Sequence, residues 1–212
     1  MSMASPAKNE TQAPTTKYLQ TIIELKDKQL AEQSELLEML GGSDCQRNSI
    51  ASILRLPHTE PILAPCDSKI AGPGWIVIQR RIDGTESFNL NWEEYKKGFG
   101  DIKGEYFIGL EDMYLITQSQ PHELYIHLED FNNETRYARY SNFLIGSEEE
   151  SYKLLQLGNY SGNASNIMQY HINNALPKSN IYSLEDLGKN NDGERHLKSV
   201  KFTQSMIRAK SY

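Results

Sequence analysis

Residues 66–106, CDSKIAGPGWIVIQRRIDGTESFNLNWEEYKKGFGDIKGEY, set the frame for every other segment of the chain. Gly72-Pro73-Gly74 breaks the backbone, and the next four residues, Trp75-Ile76-Val77-Ile78, are all apolar. Four β-formers directly after a breaker predict a strand covered on both faces. Arg80-Arg81 lead out of it, and Asp83-Gly84 supplies turn chemistry. A short amphipathic helix is expected next, with Asn89 as its N-cap and Trp92, Tyr95 and Phe99 on one face. Glu93 and Glu94 come early, Lys96 and Lys97 late, and Gly98 closes the element, in agreement with the helix dipole and C-cap rules.

Downstream, residues 105–110 read as a strand end running into a helix over 111–117. Residues 123–131 alternate, with Leu124, Ile126 and Leu128 on one face and Tyr125, His127 and Glu129 on the other. That pattern predicts a half-buried antiparallel strand. Asn132-Asn133 turns the chain into a second alternating strand at 136–143, and 148–158 supplies a third, although Glu148-Glu149-Glu150 also suits a solvated turn. Three sequential strands with short connections imply a meander within an α+β domain. Tyr137, Tyr140, Tyr152, Tyr160 and Tyr170 suit core edges and a recognition surface equally.

The upstream third is organised differently. Residues 1–16 are rich in Ser, Thr, Pro, Ala and Gln and are expected to be disordered. Residues 17–42 read as helix ending at Gly41-Gly42. Ile23, Leu30 and Leu37 fall at heptad position a, with Leu19, Lys26, Gln33 and Leu40 at d. Two polar d positions leave two readings open, a weak coiled coil or a solvated amphipathic helix.

With 28 acidic against 22 basic residues, a net charge of -6, the chain lacks the basic stripe a nucleic-acid partner needs. No apolar run approaches the ~20 residues of a membrane helix. Residues 1–16 contain no apolar core of a secretory signal. Sequons stand at Asn9, Asn133, Asn159 and Asn163. His122 and His127 near Glu123 and Asp130 are read as ordinary strand histidines rather than a metal or acid–base site. No nucleophile has a base at plausible spacing, and neither a phosphate loop nor a Cys/His zinc pattern occurs, so no enzyme is expected.

WIVIQRRIDG, NWEEYKKGFGD and GEYFIGLE, followed by HELYIHLEDFNNETRYARYSNFLIGSEEESYKLLQLGNYSGNASNIMQYH, resemble the fibrinogen-related (fibrinogen C-terminal) domains of ficolins, tachylectins, angiopoietins and tenascins. The resemblance runs from Cys45 to His171 and resumes near Ser199–Arg208. It implies a fibrinogen C-terminal-like fold over 45–212, with a central twisted antiparallel sheet flanked by short helices and preceded by the N-terminal helix. It also implies that Cys45 and Cys66 are joined, which would stabilise the fold by about 3 kcal/mol. Trp75, Trp92, Tyr95 and Phe99 are then core residues. The tail LKSVKFTQSMIRAK resembles the family's last strand, with Val200, Phe202 and Met206 pointing inward.

After about residue 171 the domain is shortened relative to the family. The acidic calcium loop and the ligand pocket have no matching positions, and Asp186, Asn191, Asp192 and Glu194 do not reproduce the loop's spacing. No cofactor is therefore expected of this chain. The resemblance implies a non-catalytic, extracellular, secreted recognition module, and in the secretory pathway the sequons at Asn133, Asn159 and Asn163 would carry glycans. Its first reading is lectin-like binding of glycans or acetylated groups in innate recognition. The alternatives are a receptor-binding or matrix protein of angiopoietin or tenascin type, or a degenerate paralogue without a pocket. Residues 17–40 would serve a homo-oligomer by clustering weak sites.

Overall fold

The computed structural model describes residues 18–29, 45, 50–174 and 200–210. The chain divides into two compact units, Met1–Met39 and Leu40–Tyr212. In the first, residues 18–29 form helix α1. The expectations for residues 1–16, for the remainder of the 17–42 helix and for Asp186–Glu194 lie outside the described residues.

The second unit is a sheet with short helices. Ten strands are described: β1 (Ala51–Leu54), β2 (Ile62–Asp67), β3 (Trp75–Arg81), β4 (Phe99–Gly100), β5 (Tyr106–Phe107), β6 (His122–Asp130), β7 (Thr135–Ile145), β8 (Leu154–Leu157), β9 (Tyr160–Gly162) and β10 (Val200–Ala209). Their order is β1-β2-β3-β10-β6-β7-β8, with β5 pairing β3 and β4, and β9 pairing β7. Every named pairing is antiparallel. The last strand thus enters the middle of the sheet, between β3 and β6. The β6-β7-β8 meander follows the sequence reading. Its third strand is shorter than 148–158, because Ser147 and Glu148 carbonyls accept turn bonds from the Glu150 and Ser151 N–H groups.

Trp75, Ile76, Val77 and Ile78 are all buried, as a strand covered on both faces requires. Leu124, Ile126 and Leu128 point into the main core with Ala138, Tyr140 and Ile207. Trp75, Val77 and Met206 form a smaller cluster on the opposite face, under Ile70 and Ala71. Met206 is therefore buried on that outer face, and Phe202 lies half-buried there against His127. Ile207 is the residue of β10 that reaches the main core, which corrects the inward assignment of Phe202 and Met206. A register shift between Ser205 and Met206 offsets the two ends of the β10–β3 pairing.

Helix α2 (Trp92–Lys97) is capped by Asn91, not Asn89. The Asn91 side chain accepts from the Glu94 N–H at 3.1 Å, and the Glu94 carboxylate accepts from the Asn91 N–H at 2.8 Å. This reciprocal box satisfies two donors that a helix start otherwise leaves orphaned. Phe99 is not helical: the chain leaves α2 at Gly98 (φ 85°), and Phe99 opens β4. It still meets the Tyr95 ring edge-on at 5.2 Å. Tyr95 is fully buried, whereas Trp92 and Phe99 are partly buried against the core's margin. Helix α3 (Leu110–Ser119) packs on β7 and α2. It starts at Gly109 (φ 100°), whose added Cβ would sit 2.8 Å from the Gly98 nitrogen. The crossing of these two glycines thus needs both their φ angles and their missing side chains.

Candidate functional site

The outer face of the sheet differs chemically from the core face because alternation sends the polar and aromatic set of β6 and β7 outward. An aromatic row crosses it. The Trp75 indole N–H donates to the Ala71 carbonyl at 3.0 Å, anchoring the row at β3. Tyr125 lies 5.6 Å from Trp75 in a tilted contact and stacks on Tyr137 at 5.4 Å with 2° between the planes. Tyr137, at 37% exposure, ends the row at solvent. Burial, with Tyr137 beside it, raises the Tyr125 pKa against the opposing effect of Arg139, so this phenol stays neutral in the physiological range.

Beside the row sits a charged cluster. Glu123 lies opposite Arg208 in the β6–β10 register. Its Oε1 accepts from Arg208 Nε at 2.9 Å and Nη2 at 2.7 Å. Its Oε2 accepts from Arg139 Nε at 2.7 Å, with Arg139 Nη2 at 2.6 Å. One carboxylate, 10% exposed, thus receives two forked guanidinium groups that are 44% and 30% exposed. Arg208 also donates to the Pro73 carbonyl at 3.2 Å and lies 4.5 Å over the Trp75 ring. Fixed forks of this kind are the strong form of charged hydrogen bonding.

These residues border a cleft of about 1070 Å³, whose lining includes Glu123, Arg139, Asn159, Ser161, Arg208 and Lys210. The volume is that of a ligand cleft rather than a packing void. A second hollow of about 300 Å³ adjoins Tyr140, Asn166 and Gln169 and shares Asn159 with the first. Among the described residues, no three His, Cys, Asp or Glu converge as a metal site. No helix there is long and apolar enough to cross a membrane.

The sequence-derived candidates fall around this face. Cys45 and Cys66 are bonded, with Cα atoms 5.4 Å apart, and Cys45 borders the large cleft. Asn133 occupies the β6–β7 turn at φ 62°, and its side-chain oxygen accepts from Lys201 at 3.1 Å. Asn163 uses its side-chain oxygen to accept the Tyr137 N–H at 2.8 Å. All three sequon asparagines of this unit, Asn133, Asn159 and Asn163, are exposed. His122 is buried with Nδ1 2.7 Å from the Gln120 carbonyl, His127 lies edge-on to Phe202, and the Asp130 carboxylate accepts the Asn132 and Glu134 N–H groups. Sequence reasoning did not single out Arg139 or Arg208. Their meeting at Glu123 depends on the register of the returning strand, which alternation alone does not supply.

A family model described as fibrinogen beta and gamma chains, C-terminal globular domain, matches residues 39–206. Human angiopoietin-related protein 1 is 45% identical over 136 residues, covering 60% of this chain and 28% of that protein. Human angiopoietin-related protein 7 is 41% identical over 133 residues, covering 60% of this chain and 38% of that one. The chain therefore spans well under half the length of these curated relatives. Among solved structures, the fibrinogen-like globe domain of human ANGPTL2 matches with a TM-score of 0.63 and 28% identity, over 76% of this chain and 92% of that domain. The chain belongs to the family of the C-terminal globular domain of the fibrinogen beta and gamma chains.

Proposed function

We propose that the chain is an extracellular, non-enzymatic binding module of the angiopoietin type, which docks a protein partner on the outer face of its sheet. The observation that carries this reading is the asymmetry of the sheet. One face is closed by the core, while the other presents Tyr125 and Tyr137 beside an arginine-lined cleft of about 1070 Å³. Aromatic and arginine side chains are the anchors that protein interfaces favour. The angiopoietin-related and fibrinogen-like relatives support a recognition role without catalysis. The Cys45–Cys66 bond supports an oxidising, secretory setting.

The test is retention of purified cell-surface receptor ectodomains on the immobilised chain, with Tyr137→Ala and Arg139→Ala as paired variants. The reading expects retention that both variants weaken, with each variant still unfolding in one cooperative transition. Retention of acetylated glycans but no ectodomain, at millimolar sugar, would replace it with the lectin reading, for which the stacked tyrosines offer a sugar platform. Failure to leave the cell, with a broad non-cooperative melt, would instead identify a decayed domain.

Self-association through residues 17–40 is part of the proposal. Tyr18, Leu19, Ile23 and Leu25 of α1 are each more than half exposed, and Leu19 and Ile23, four residues apart, share a helical face whose apolar surface a second copy would cover. Sedimentation of the full chain beside a truncation lacking residues 1–42 tests it. Identical masses per chain in both overturn this part.

A further inference from the structure

We infer that the outer-face cleft reads a carboxylate on an acidic peptide segment, with Arg139 as the contacting cation and Glu123 and Arg208 holding it in place. This rests on the protein-binding role proposed above and names the chemistry of the partner. Three observations carry it.

The first is charge. Arg139, Arg208 and Lys210 line the cleft against the single carboxylate of Glu123, within a chain of net charge -6. One Glu between two guanidinium groups neutralises only one of them. The residual positive charge, partly desolvated, favours an anion in the cleft.

The second is unused hydrogen-bonding capacity. Arg139 spends Nε and Nη2 on Glu123, and its Nη1 has no partner among the described residues. Ser161, opposite Arg139 in the β7–β9 register, lines the same cleft. A carboxylate oxygen accepts well from a guanidinium N–H and a hydroxyl together.

The third is preorganisation. Arg208 is held by Trp75, Pro73 and Glu123 at once, so Glu123 is fixed from one side and fixes Arg139 from the other. Holding the donor in its bound geometry beforehand lowers the entropic cost of binding. A sulfated polysaccharide fits less well, because it needs an extended run of basic side chains and this cleft is bounded. Its volume of about 1070 Å³ suits a segment of a few residues.

The probe is a fluorescein-labelled Gly-Asp-Asp-Asp-Gly-amide peptide, compared with its Asn-for-Asp counterpart and a heparin hexasaccharide, read by anisotropy on the full chain. The acidic peptide is expected to bind roughly tenfold or more tightly than the Asn version, with affinity falling as salt rises. Arg139→Gln should lose roughly tenfold in affinity while still unfolding in one cooperative transition. Arg139→Lys, which keeps the charge and loses the fork, should fall between. Equal binding of the two peptides, preferential binding of heparin, or wild-type affinity in a folded Arg139→Gln variant would each overturn the inference. If ectodomain retention survives while peptide binding fails, only the carboxylate assignment falls. If both fail, the docking role falls with it.

Discussion

The guanidinium of Arg208 lies 4.5 Å over the indole ring of Trp75, joining β10, the last strand in chain order, to β3. Trp75 is almost fully buried, so its ring face offers Arg208 a poorly hydrated seat, where cation–π attraction is stronger than at an exposed site. A double-mutant cycle over Trp75→Leu and Arg208→Gln, which remove the ring and the cation in turn, measures the coupling. We expect about 0.5–2 kcal/mol between the two in urea denaturation. Strict additivity would mean that the two side chains are merely neighbours.

The disulfide governs a different part of the domain. Among the described residues, β1 and β2 join the rest of the sheet through two residue pairs, Cys66 with Ile76 and Asp67 with Trp75. The Cys45 carbonyl accepts the Gly74 N–H at 2.7 Å, which adds a second tether. A bond closing a separation of 21 residues stabilises by about 3 kcal/mol through loop-closure entropy. Reduction is therefore expected to speed amide exchange in β1 and β2 well before β6 and β7 are affected. Uniform acceleration across all four strands would show that the hairpin is not a separable unit.

Much of this fold is written in local pattern, and the exceptions have physical causes. Trp75–Ile78 and the Leu124, Ile126, Leu128 alternation place themselves, because burial on two faces or one leaves a distinct period. The return of the tail between β3 and β6 follows the family resemblance rather than any property of the tail alone. The cap of α2 is written in the spacing between an asparagine and a carboxylate. Asn91 has Glu94 three residues on, the spacing of a capping box, whereas Asn89 has Trp92 there. Phe99 keeps helical spacing in the sequence, but Gly98 at φ 85° redirects the chain before it. Glu123, Arg139 and Arg208 are a harder case. Arg208 stands 85 positions from Glu123, and a one-residue slip of β10 would turn it to the core face.

Glu105 is a buried carboxylate that the fold keeps ionised to lower pH than an ordinary glutamate. Burial alone would raise its pKa, but the N–H groups of Glu86, Gly84 and Ile82 and the Arg81 guanidinium outweigh burial and hold it below the usual value. Its side chain is 1% exposed, so those donors have no ready substitute in water. A depressed carboxylate pKa means that the unfolded chain binds the proton first. The stabilisation is thus full above the unfolded glutamate value of about 4.3 and is lost as pH falls through the lower folded value. Glu105→Gln should unfold at lower urea at pH 7, by roughly 1.5–3 kcal/mol, and show a flatter decline below pH 5 than wild type. Parallel pH profiles would refute this account of Glu105.

His122 works in a higher window. Burial lowers its pKa, and the Gln120 carbonyl only partly offsets that. His127 is lowered by burial too, against the opposing charges of Glu129 and Asp67. Both rings are kept neutral by the fold while the unfolded chain protonates near pH 6.5, so their contribution is present above that pH and fades as pH falls below it. Wild type is expected to lose stability between pH 7 and 5, before Glu105 titrates. His122→Gln should remove part of that slope. A slope unchanged in both His122→Gln and His127→Gln would assign the loss to other groups.

Glycans at the three exposed sequons of the sheet unit make a prediction that bears on the cleft itself. Asn159 borders both hollows, so a glycan there would narrow the entrance that Arg139 faces. Asn133 and Asn163 point their side-chain oxygens into bonds with Lys201 and the Tyr137 N–H, and a glycan on the amide nitrogen leaves both bonds intact. Removing each sequon needs a different substitution. Asn133 sits at φ 62°, where Gln would be strained, so Thr135→Ala is the cleaner change. Ser165→Ala silences Asn163 without breaking its bond, and Asn159→Gln serves for the third. Protein secreted from mammalian cells is expected to lose mass on endoglycosidase digestion, with each variant removing one step. Asn159→Gln alone should also tighten binding of the acidic peptide, because it opens the cleft, while the other two leave affinity as it was. An unchanged mass after digestion would refute occupancy, and equal peptide affinity in all three variants would separate the glycan at Asn159 from access to Arg139.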